Sequence, residues 1–129
     1  MTKPVNPRGS KRTYASVTIT TEADGLSEVV NLTGYFLAGV ITSTAWTDSG
    51  IGFKVSVDGS TDMKDLRDTA GDLVTITTTA DQATVVAATN FLGFDNLQLV
   101  SRTTSGAVIA QAAPREIQLA LYAYVTSGS

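Results

Sequence analysis

The chain has 129 residues, 43% of them hydrophobic, with nine Lys and Arg against 12 Asp and Glu, for a net charge of −3. That is one domain with enough apolar content to fold without a metal or a disulfide. Cysteine and histidine are both absent, which excludes disulfide frameworks, thiolate zinc sites, cysteine nucleophiles and any Ser-His-Asp arrangement, and removes the commonest general base near neutral pH.

Charge is unevenly spread. Lys3, Arg8, Lys11 and Arg12 put four positive charges and no acid into residues 1–12, ahead of a remainder of −7. Pro4, Pro7 and Gly9 keep this segment irregular, so residues 1–12 read as an arm and 13–129 as a single β domain. The arm is either a solvated terminus or a tether for an acidic neighbour, another copy of this body included. Four charges without an interleaved aromatic, on a body that repels phosphate, do not make a nucleic-acid interface. No apolar stretch resembles a secretory signal or a membrane span, and synthesis in a cytoplasm is expected.

Past the arm, short strands joined by turn residues follow one another. TYASVTIT (13–20) is rich in β-branched residues, and Thr21 to Gly25 ends it. SEVVNL (27–32) is the next strand, and Gly34 precedes YFLAGVIT (35–42), an apolar run suited to a strand packed on both faces. Residues 43–50, STAWTDSG, read as a loop or irregular edge. Ile51, Phe53, Val55 and Val57 then alternate with Gly52, Lys54 and Ser56, the period of a half-buried strand. Asp58-Gly59-Ser60 turns the chain into an acidic loop with no apolar run long enough for another core strand. LVTIT (73–77) is a strand, and TVVAA (84–88), the apolar stretch 90–94, NLQLVSR (96–102) and 107–111 follow as short strands or connections. A long strand, 115–125, closes the chain after Pro114. Thr and Ser make up 31 of the residues while Glu and Lys are few, and no amphipathic helix emerges. Eight to ten strands about ten residues apart predict an all-β, two-sheet sandwich of jelly-roll type.

The acidic loop invites a cation, since Asp58, Asp62, Asp65 and Asp68 offer the oxygens that calcium prefers. Their spacing does not match an EF-hand loop, and Asp also caps turns, so solvated turn caps are expected and no metal or cofactor is assigned. Glycosidase chemistry would need two carboxylates on facing strands, whereas these cluster in one loop. No phosphate-cradling glycine motif is present. Trp46, with Asp48 nearby, would supply a stacking ring and a carboxylate to a sugar, although a lone loop Trp is more often a core plug or an interface anchor.

In the closing strand Ile117, Leu119, Leu121, Ala123 and Val125 share one face and Gln118, Ala120, Tyr122 and Tyr124 the other. Either another part of the chain covers the two tyrosines, or they belong to a subunit interface, where rigid amphipathic rings are favoured. The candidate partner-binding residues are therefore Lys3, Arg8, Lys11, Arg12, Trp46, Tyr122 and Tyr124.

The run from Phe53 to Asp62, FKVSVDGSTD, followed by Leu66, Asp68 and Gly71, resembles a pattern in small structural proteins of tailed-phage particles. Gly93, Leu97 and Leu99, and the closing Ala113-Pro114-Arg115-Glu116-Ile117, extend the likeness over about Tyr35 to Val125. The resemblance implies a head decoration, or cement, protein, a virion component whose partner is a major capsid protein or another virion protein. It also implies a homo-oligomer, a trimer being favoured, with the basic arm as an anchor. A tail, neck or adhesin module, with or without carbohydrate binding, is the alternative. The family has no shared catalytic motif to carry over, and neither nucleic acid nor a membrane is an expected partner.

Overall fold

The computed structural model of the chain describes residues 12–20, 24–47, 49–57, 62–91 and 93–123. They form β1 (Arg12–Ile19), β2 (Val30–Asn31), β3 (Tyr35–Thr42), β4 (Ser49–Ser56), β5 (Lys64–Asp65), β6 (Thr75–Thr78), β7 (Ala83–Val85), β8 (Asn96–Ser101) and β9 (Arg115–Ala123). One antiparallel sheet has the order β1-β9-β3-β7. The other runs β2-β8-β4, with β5 and β6 end to end along the far side of β4. The architecture is the two-sheet β-sandwich that composition and strand spacing predict. Among the described residues no helix is long and apolar enough to cross a membrane.

Alternation decides which side chains fill the space between the sheets. Val17 and Ile19 of β1, Ile117 and Leu119 of β9, and Leu37 and Val40 of β3 meet Ile51 and Phe53 of β4 and Leu97 and Leu99 of β8, all fully buried. Each such side chain contributes about 1.5–3 kcal/mol relative to exposure. Leu37 and Val40 are three residues apart yet both point inward, because the pairing with β9 slips between Leu37 and Gly39. This bulge at Ala38 adds the one residue that restores the inward phase. The Ala38 carbonyl accepts the N–H of Val86 at 3.0 Å, so the irregularity is satisfied.

Several boundaries differ from the sequence reading. Arg12 opens β1 instead of ending an arm, because it pairs with Tyr122 on β9. Ser49 and Gly50 belong to β4, where they pair with Thr78 and Thr77. Ahead of β8 a 3₁₀ turn at Ala88–Phe91 drops Phe91 edge-on against Phe53, with ring centroids 5.0 Å apart at 82°. Residues 107–111 make no strand, only a bridge from Val108 to Arg102 and contacts of Ile109 with Ser101. β3 is packed on one face, its outer side remaining open at Ile41.

The acidic loop also holds more order than its composition promised. Leu66 is buried, donates its N–H to Phe53 at 2.9 Å and accepts that of Val74 at 2.9 Å. β5 and β6 are thus one strand interrupted by a small hairpin that Arg67 and Leu73 close. Inside it the Asp68 carboxylate accepts the N–H groups of Ala70 and Asp72 at 2.9 and 3.0 Å, and Gly71 takes φ +87°. Here an acid caps a turn and glycine supplies the left-handed residue.

Candidate interaction surface

The register of the first sheet sets its outward side chains in rows. Arg12, Tyr122 and Phe36 lie side by side across β1, β9 and β3. Tyr14, Ala120, Gly39 and Val85 form the next row, reaching β7, and Ser16, Gln118, Ile41 and Ala83 the third. Thr18 and Glu116 make the fourth. Within these rows Arg12 and Glu116 carry the charges, at opposite ends, and everything between them is neutral.

A solvated antiparallel face is ordinarily polar, and this one carries exposed apolar side chains among its polar ones. Tyr14 is 73% exposed and Val85 86%, and Ile41 is exposed as well. Tyr122 is half-buried because its ring stacks on Phe36, with centroids 5.7 Å apart and planes at 27°. Gly39 and Ala120 hold the middle low, leaving a depression of about 180 Å³ beside Ile41 and Val85. A second hollow of about 440 Å³ lies over Tyr14, Ser16 and Gln118. Apolar relief of this kind suits contact with another macromolecule. Among the described residues no three His, Cys, Asp or Glu side chains gather as metal ligands.

The outer face of the second sheet contrasts with it by pairing polar side chains, although Nε and Nη2 of Arg102 are buried without a hydrogen-bond partner. Asn96 donates to the Ser56 hydroxyl at 3.0 Å and Gln98 to the Ser27 carbonyl at 2.7 Å. Lys54 and Arg102 both reach one oxygen of Asp65, at 3.0 and 2.9 Å. Arg102 is only 4% exposed, and its guanidinium lies against Gly52 so closely that a Cβ there would overlap Nε. The Arg102 hydrogen bond holds the Asp65 carboxyl below its ordinary range, burial opposes it, and Lys54 adds to the lowering.

Of the residues singled out from the sequence, Arg12 and Tyr122 come together in the first row of the open face. Trp46 does not join them. It is 3% exposed and packs in the core, which corrects the expectation of an accessible ring and leaves no face for a sugar. Gln111 pins its loop, accepting the Thr47 N–H at 2.9 Å and donating to the Thr47 carbonyl at 3.3 Å. Lys3, Arg8, Lys11, Tyr124, Asp48 and Asp58 lie outside the described residues.

Sequence reasoning missed Tyr14, Phe36, Gly39, Ile41 and Val85, which belong to strands that are neighbours only in space. It also missed Arg102, although two glycines alternating on a central strand, Gly50 and Gly52, are a signal of close approach.

No family model and no curated protein matches the chain. Among solved structures, the crystal structure of the SPBc2 prophage-derived protein YomS superposes with a TM-score of 0.53 at 12% identity, over 92% of this chain and 100% of that one. At that identity the likeness is one of fold, and the two-sheet sandwich described above is what the two chains share.

Proposed function

We propose that the chain is a non-enzymatic structural protein of a phage particle, a head decoration protein that binds the shell through the outer face of β1-β9-β3-β7. The observation that carries this reading is the face itself, with one row, Tyr14, Ala120, Gly39 and Val85, free of strongly polar side chains across four strands, and no charge between Arg12 and Glu116. Contacts of this kind are individually weak, and a lattice multiplies them because copies that touch one another bind as a unit. The strand orders β1-β9-β3-β7 in one sheet and β2-β8-β4-β5 in the other, with β6 also on β4, support a jelly-roll reading, an architecture of viral capsid and lectin domains. The shared fold with a prophage-derived protein supports the same reading. The partner is then a major capsid protein or another virion protein. The chain is made in the host cytoplasm and ends in the virion as a homo-oligomer, with Lys3, Arg8, Lys11 and Arg12 as a basic anchor toward an acidic neighbour.

Particles of the encoding phage, separated into heads and tails and probed with an antibody to this chain, test the proposal. The protein is expected on heads at saturable copy number. Heads lacking it should rebind the purified chain but not a Tyr14→Asp, Val85→Asp variant that keeps its circular dichroism. Signal on tails alone moves the assignment to a tail or neck module, and absence from both overturns a particle role.

A further inference from the structure

We infer that two copies of this chain pair through the outer edge of β1, antiparallel, to make one continuous eight-stranded sheet. The inference stands on backbone geometry and does not depend on the phage reading.

The sandwich has four sheet edges, and three are blunted as natural proteins blunt them. β7 has three residues and β2 two, and the β5–β6 edge is broken by the Arg67–Leu73 hairpin. β1 has eight residues, without a proline or a bulge. Its outward backbone groups can be identified by phase. Thr18 donates its N–H to the Glu28 carboxylate and Thr20 donates to the Leu26 carbonyl, both away from β9. In an unbroken ladder N–H and C=O of alternate residues point the same way, so Arg12, Tyr14 and Ser16 also face outward. Among the described residues no strand other than β9 pairs with β1 along this stretch.

The occupant that fits is a second β1. Since Glu28 already takes the Thr18 N–H, the open ladder spans residues 12–16, with Tyr14 at its centre. A two-fold axis at Tyr14 sets Tyr14 opposite the partner's Tyr14, and Arg12 opposite the partner's Ser16. Each such pair exchanges two hydrogen bonds, about six in all. The charges agree with this direction: antiparallel pairing brings the partner's Arg12 to the end of the ladder where Glu28 sits, and a parallel arrangement would separate them. Pairing also places the two exposed Tyr14 rings side by side on a common outer face, where aromatic cross-strand pairs are favourable. The contact is isologous and closes at two copies.

Light scattering and sedimentation of the full chain test this. The expected mass is twice the 13.5 kDa of one chain. Ser16→Pro removes only an outward N–H, which an edge strand tolerates, and should give a monomer with unchanged circular dichroism. Arg12→Glu should weaken the dimer up to about fivefold, and Arg12→Glu with Glu28→Arg should recover it. A monomeric or trimeric native chain overturns the inference, as does a dimer that both Ser16→Pro and Arg12→Glu leave intact. Should Ser16→Pro fail to fold, the charge reversal and its rescue decide alone.

Discussion

Arg102 donates to Asp65 at 2.9 Å while its guanidinium lies close against Gly52, so the missing side chain of one residue makes room for the buried charge of the other. Gly52→Ala should therefore act through Arg102. The methyl displaces the guanidinium, and a buried cation parted from its carboxylate is expensive. The expected loss is about 2–4 kcal/mol in urea unfolding. Gly52→Ala combined with Arg102→Ala should fall short of the sum of the two single losses by more than about 1 kcal/mol.

Acid should expose the same pair. Asp65 has a folded pKa below its ordinary 3.8, chiefly from the Arg102 hydrogen bond. Its stabilisation is then complete above the ordinary carboxylate range and is lost as pH falls through the lowered folded value, where the unfolded chain binds the extra proton. With no histidine in the chain, no side chain of ordinary pKa titrates between about pH 5 and 8. The thermal midpoint should be flat across that range and decline below about pH 4. Asp65→Asn should lower the plateau and flatten the decline.

Trp46 reports on the core and not on a ligand. Its emission should be blue-shifted in the folded chain and indifferent to added oligosaccharides. Trp46→Ala should cost about 3–5 kcal/mol. Gln111→Ala, which leaves the Thr47 N–H without its acceptor, should cost about 1–3 kcal/mol and shift Trp46 emission toward the solvated position.

The open face should separate stability from binding. Tyr122→Ala loses the stack on Phe36 and is expected to cost about 1 kcal/mol beyond the lost area. Tyr14→Ala, on a ring mostly in water, should stay within about 0.5 kcal/mol of the native chain in thermal unfolding. A particle-binding measurement should rank them in reverse, with Tyr14→Ala the more damaging.

Fold class was legible because it rests on local signals. Tyr35–Thr42 and the start of β9 at Arg115 fall where the apolar runs and Pro114 put them, and Ile117, Leu119 and Leu121 face the core as alternation requires. What the letters hid was contact at long sequence separation. Tyr14 looks like any exposed strand residue until Ala120, Gly39 and Val85 are set beside it, and those neighbours are chosen by strand order. Trp46 reads as a loop residue, which it is, but the Gln111 side chain 64 positions away from Thr47 folds that loop inward. Leu66, flanked by charged residues of both signs, carries too little hydrophobic pattern to announce a strand, and the backbone of Phe53 supplies the pairing instead.

Because Arg67 and Leu73 face each other across the base of the small hairpin, the chain leaves the sheet and returns at nearly the same point. Whatever is spliced at its tip, between Ala70 and Gly71, need only bring its own ends together, and closing a longer loop adds little entropy. The position is a natural graft point: a foreign epitope of about ten residues can be carried there with the sandwich unaltered, offering a way to mark or display the protein from the edge of its second sheet.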